Sequence, residues 1–165
     1  MSVSDELVAA NAAYASGFDA GALSKVPARR VAVVTCMDAR VHPQAALGIE
    51  LGDAHVIRNA GGRAAEALRS LVVSLHVLDV NEIVVMHHTD CGMHSLTNAE
   101  LAERLQERLG IDAGDQDFLC MESLEAGLRD DVAFLRESEF IGDDITITGL
   151  IYDVRTGRVS LMSQT

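Results

Sequence analysis

The chain has 165 residues, 48% of them hydrophobic, with 25 acidic against 13 basic side chains and a net charge of −12, which is one domain's length and enough chain to bury a core. That charge excludes a nucleic-acid partner, because phosphate binding needs a basic surface. No run of about 18 apolar residues offers a membrane span, and the acidic N-terminus lacks the basic segment of a Sec-type signal, so a cytoplasmic location is expected.

The first predicted element is a helix in "SDELVAANAAYASGF", with Ser4 as its cap and Leu7, Ala10 and Tyr14 on one face. "VAVVT" at 31–35 is a continuous β-branched run, the pattern of a strand buried on both faces. "HPQAALGI" reads as a short helical turn with Pro43 near its start, "AHVIRN" at 54–59 as a second strand, and residues 64–78 as a helix. "EIVVMHH" at 82–88 is a third strand. Two amphipathic helices follow, one capped by Thr97 or Asn98 and closed by Gly110, the other in "MESLEAGLRDDVAFLRES". Residues 144–154 form a fourth strand, and "TGR" turns it back into "VSLMS" as an antiparallel edge partner. Alternating strands and helices predict a single α/β domain over residues 1–165, with a mostly parallel sheet in the order 2-1-3-4, an antiparallel edge strand, and helices on both faces.

In such sheets the ligand crevice lies beyond the carboxyl ends of the strands where their order reverses, between strands one and three here. Those two strand ends carry the chemistry: "VAVVTCMDARV" presents Cys36, Asp38 and Arg40, and "EIVVMHHTDCG" presents His88 and Cys91. Three cysteines do not make a disulfide scaffold; in a reducing cytosol they read as ligands, reactive thiols or core. Two thiolates and an imidazole suit zinc, and a catalytic zinc has three protein ligands and one open position. His87 competes with His88, but only His88 keeps the x-x spacing to Cys91. A Cys2His zinc site is formally neutral, so its water benefits from a proton acceptor. Asp38, two residues from Cys36, faces the same side, and Arg40 can hold it by paired hydrogen bonds.

"CMDAR", "IRNAGG" and "HTDCG" together resemble the β-class carbonic anhydrases. The resemblance implies zinc on Cys36, His88 and Cys91, an Asp38–Arg40 catalytic dyad, and hydration of carbon dioxide to bicarbonate by zinc-bound hydroxide. As in some members of that family, Asp38 is also a candidate fourth ligand in a closed state. Residues Asn59, Ala60, Gly61 and Gly62 are assigned to the substrate pocket wall. Met37 and Ala39 stand where the family usually has serines. The resemblance also implies a homodimer or higher oligomer, and the helix within residues 1–18 is expected to pack on a partner subunit. Two other functions compete: hydrolysis of carbonyl sulfide or carbon disulfide on the same scaffold, and a non-catalytic zinc module. Cysteine-nucleophile chemistry is disfavoured, because Asp38 between Cys36 and Arg40 repels an anion. Outside this set, Asp90 is read as a turn residue, Arg58 as a partner for a carboxylate and Cys120 as packing; His94 is read first as a surface or satisfied histidine, with a proton relay as the alternative. His42, His55 and His76 are read as surface or satisfied histidines, and Glu100, Glu103 and Glu107 as a solvated helix face.

Overall fold

A computed structural model describes residues 2–162. Its strands are β1 (Val31–Cys36), β2 (Ala54–Asn59), β3 (Glu82–His88), β4 (Thr146–Tyr152) and β5 (Val159–Leu161); its helices are α1 (Val3–Ser16), α2 (Pro43–Leu47), α3 (Ala64–His76), α4 (Asn98–Leu109) and α5 (Leu124–Arg136). The strands make one sheet in the order β2-β1-β3-β4-β5, parallel except for the β4–β5 pair, as expected from the sequence.

β1 and β3 are the central parallel strands, and their near-continuous apolar runs are what a sheet buried on both faces requires. Ala32, Val34, Ile83 and Val85 point to one face, where Ala67 and Leu71 of α3 and Leu128, Val132 and Leu135 of α5 close over them. Each fully buried leucine or isoleucine there contributes roughly 1.5–3 kcal/mol of apolar burial. The other face is covered less. The β1-to-β2 crossover runs opposite to the β2-to-β3 crossover, so its right-handed path puts α2 on that face. α2 has only five residues. Leu47 and Ile49 therefore lie over Val31, Val33, Val84 and Leu150 around a cavity of about 190 Å³, and the helix cover on the two faces is unequal.

α1 begins earlier than the sequence reading placed it. Ser2, not Ser4, is the cap, because Asp5 then sits three residues on and completes a reciprocal capping box with it. α1 and α4 contain no buried residue, and Val3, Leu7, Val8 and Tyr14 are exposed along α1. Among the described residues no helix is long and apolar enough to cross a membrane.

Candidate functional site

The reversal of strand order brings the ends of β1 and β3 together. Cys36 closes β1 and is paired in register with Asn59 at the end of β2; His88 closes β3. Cys91 follows after a sharp turn made by Asp90 in a left-handed conformation (φ 57°), and a 3-10 turn at Gly92–His94 carries the chain away. The Cys36 and Cys91 Sγ atoms lie 4.0 Å apart. With a His88 ring nitrogen, these are the three candidate ligand atoms, all within 4.8 Å of one another and all on buried residues.

The donor set fits a tetrahedral zinc ion. With Zn–S bonds of about 2.3 Å, tetrahedral thiolates stand about 3.8 Å apart, close to the separation here. His88 Nδ1 lies 2.9 Å from the Thr89 carbonyl. A carbonyl only accepts, so Nδ1 carries a proton, and in the neutral imidazole Nε2 then keeps its lone pair. That Nε2 is buried and has no hydrogen-bond partner among the described residues, which is the condition of a nitrogen reserved for an ion. The contact between the two thiols, with Cys91 donating, holds Cys36 well below the ordinary thiol range and pushes Cys91 above it. A divalent cation displaces such a proton and takes both sulfurs as thiolates.

Asp38 turns its carboxylate toward Arg40 in a paired grip. Arg40 Nε donates to Oδ1 at 3.0 Å and Nη2 to Oδ2 at 2.8 Å, and the Arg40 amide adds a 2.8 Å bond to Oδ1. The Arg40 side chain, then its amide, hold Asp38 well below the usual carboxylate range. Asp38 Oδ2 is still only 3.9 Å from His88 Nε2, so the carboxylate borders the ligand set without being drawn from Arg40.

Asp90 is a turn residue and also a partner: its Oδ2 accepts from Arg40 Nη1 at 2.7 Å and its carbonyl from Nη2 at 2.9 Å. The guanidinium is thus clamped between the two strand ends. Among the described residues Arg58 pairs with no carboxylate; it donates to the carbonyls of Cys36 (3.0 Å) and Asp38 (2.7 Å), bracing the "CMD" segment from β2. Both roles depend on which strands are neighbours, and residue spacing carries no signal for them. His94 Nε2 accepts from the Cys91 amide at 3.0 Å, so this nitrogen braces the ligand turn. His87, next to His88, faces the opposite side of the sheet and approaches Asp131. His55 and His76 meet Ser74 and the Phe140 carbonyl, and Cys120 is half-buried.

A cavity of about 160 Å³ opens beside the ligands, bounded by Cys36, Asp38, Cys91, Ala60, Gly61 and Met93. Of residues 59–62, then, Ala60 and Gly61 line it. Asn59 instead turns away to bracket Arg63, and Gly62 lies beneath, against the β1 backbone.

The sequence pattern of the carbonic anhydrase family matches residues 31–159. The chain is 38% identical over 164 residues to "Beta-carbonic anhydrase 1" of Mycobacterium tuberculosis, covering 97% of this chain and 98% of that one. A crystal structure of carbonic anhydrase from Streptococcus mutans superposes with a TM-score of 0.95 at 51% identity, over 99% of both chains. A "Carbon disulfide hydrolase" of an Acidianus species is 34% identical, covering 82% of this chain and 78% of that one.

Proposed function

This chain belongs to the β-carbonic anhydrase family and is a carbonate dehydratase, and from that premise we propose how its own residues divide the work. Cys36, His88 and Cys91 hold a zinc ion, which when bound supplies the Lewis acidity that makes a water nucleophilic toward the carbon of carbon dioxide. Asp38, which lines the cavity beside the ligand set, would accept a hydrogen bond from such a water and orient it. Arg40 keeps Asp38 ionised and holds it back from the ligand position, so the site stays in its open state. The apolar wall of Ala60, Gly61 and Met93 receives the uncharged substrate; Asn59 and Gly62 shape that wall from behind. Hydration then yields bicarbonate and a proton that passes to solvent.

The observation that carries this reading is the convergence of an unpartnered, buried His88 Nε2 with two sulfurs 4.0 Å apart, next to a carboxylate already gripped by an arginine. Structural zinc sites use four closed ligands and do not need that grip. Two thiol ligands this close would be lost on oxidation, which suits the reducing cytoplasm as the protein's location. The exposed apolar residues of α1 suit a homodimer in which that helix packs on the partner subunit.

Metal analysis with hydration kinetics across pH, on the wild type and Asp38→Ala, tests the proposal. The expected result is one zinc per chain in both, with activity falling about a hundredfold or more in the variant. Full zinc with no hydration at alkaline pH would leave a non-catalytic zinc module. Parallel assays with carbonyl sulfide and carbon disulfide measure the related hydrolase chemistry, and faster turnover of either would reassign the substrate.

A further inference from the structure

On the helix-covered face of the sheet, behind the cavity, a buried ionic cluster takes no part in the chemistry above. Asp131 of α5 is 1% exposed. Its Oδ1 accepts from the Ala64 amide at 3.0 Å and its Oδ2 from Arg63 Nε at 2.8 Å. α3 has no cap of its own, so Asp131 caps it from another helix, where the positive end of the helix favours a carboxylate. His87 Nε2 stands 3.0 Å from the same Oδ2, but off the line of a hydrogen bond.

Arg63 reaches in two further directions. Its main chain is bracketed by Asn59, which accepts from the Arg63 amide at 2.7 Å and donates to its carbonyl at 2.9 Å. Its Nη1 donates to the Leu119 carbonyl at 2.6 Å. Leu119 is held at φ +58°, a conformation a leucine rarely adopts, with its amide on Asp117 Oδ1 at 2.8 Å. Two residues on, the Met121 amide donates to the Met93 carbonyl at 2.8 Å. The Met121 side chain is buried against Gly61 and Gly127; a Cβ at Gly61 would meet Met93 Cγ at 3.1 Å and Met121 Cε at 3.3 Å. Gly61 and Met93 are cavity walls.

We propose that Asp131 and Arg63 are positioning residues: they fasten the pocket wall at residues 59–62 to the loop at residues 117–121, so that Met121 braces Gly61 and Met93 at the substrate cavity. A buried ion pair adds little net stability over an apolar pair of the same size, so its value lies in geometry. The planar guanidinium serves Asp131 and the Leu119 carbonyl from two separate nitrogens. A lysine ammonium, a single point of donation, cannot hold both in that arrangement. The path to the cavity therefore runs from Asp131 through Arg63 and Leu119 to Met121.

The inference rests on the hydratase assignment, and its test reads both kinetics and exchange. Zinc-loaded Arg63→Lys, Met121→Ala and the double variant are compared with wild type by carbon dioxide hydration, zinc content and amide hydrogen exchange. Each single variant is expected to raise KM about fivefold, with kcat within about twofold and zinc content unchanged. Arg63→Lys is expected to speed exchange of the Met121 amide about tenfold. The double variant is expected to be no worse than the larger single, because both cut one path. A lowered melting temperature in Arg63→Lys with KM and Met121 exchange unchanged would make the cluster purely structural and overturn the assignment. Multiplying KM effects in the double variant would overturn it too. Where Arg63→Lys yields no folded protein, an unchanged KM in Met121→Ala overturns it. Absence of hydration by the wild type would fail the functional assignment instead, and Met121 exchange would still decide the linkage.

Discussion

Gly62→Ala isolates the contact on which the pocket wall rests. Gly62 has φ +72°, and a Cβ there would meet the Thr35 carbonyl carbon at 2.9 Å, the Cys36 nitrogen at 3.0 Å and Thr35 Cα at 3.1 Å. All three are backbone atoms of β1, hydrogen-bonded on both sides within the sheet, so none swings aside as a side chain would. Two costs follow. The left-handed backbone costs an alanine about 1–2 kcal/mol. The overlap forces the 3-10 turn at Ala60–Gly62 away from β1, which by the cost of overpacking is about 1–3 kcal/mol more. The sum, about 2–5 kcal/mol, lowers the melting temperature by roughly 5–15 °C in a chain of this size. Gly110→Ala is the internal control: φ +68° at the end of α4, with nothing among the described residues within 4 Å of its Cβ, so it carries the conformational cost alone. Urea unfolding and thermal melts at one fixed chain concentration measure both variants. The reasoning is refuted if they lose the same stability within about 0.5 kcal/mol, since the clash with β1 would then cost nothing. Because the displaced turn carries Ala60 and Gly61, the surviving folded Gly62→Ala enzyme is also expected to have a raised KM.

Cys36→Ser and Cys91→Ser each remove a soft ligand and are expected to cost about tenfold or more in zinc affinity, read by competition with a chromogenic chelator; stoichiometric zinc retained against a strong chelator would contradict the ligand assignment. Arg40 holds Asp38 below the usual carboxylate range, so Asp38 is already ionised throughout the neutral range and its titration produces no step there. Activity is then expected to rise with pH through mildly alkaline values as the attacking water loses its proton, and a flat profile from about pH 6.5 to 9 would contradict this. Deletion of residues 1–18, which removes the exposed Leu7, Val8 and Tyr14 of α1, is expected to weaken dimerisation in sedimentation velocity; unchanged assembly would refute packing of α1 on a partner.

Local pattern in the chain was enough to locate the elements that carry the chemistry. The apolar runs of β1 and β3 admit only buried strands, and their neighbours' spacing implies parallel crossovers. With β1 and β3 as neighbours and β2 outside β1, the order reversal falls where Cys36 and His88 end their strands, and the sheet has that order. His88 and Cys91 are three apart and Asp38 and Arg40 two apart, so each pair's relation follows from short-range geometry. What the tertiary structure alone decided is long-range. Asp90 reaches Arg40 across 50 residues, Arg58 takes the carbonyls of Cys36 and Asp38 because β2 lies beside β1, and Asp131 meets Arg63 across 68 residues because α5 packs on α3. Residues 59–62 showed the same division: their glycines were legible as a close approach, but whether each faces the cavity or the β1 backbone depended on the kink at Gly61. Hydrophobic period and motif spacing record what a residue's own segment requires. A polar side chain's distant partner is set only when packing has placed the segments, and several partners satisfy the same hydrogen-bonding need equally well.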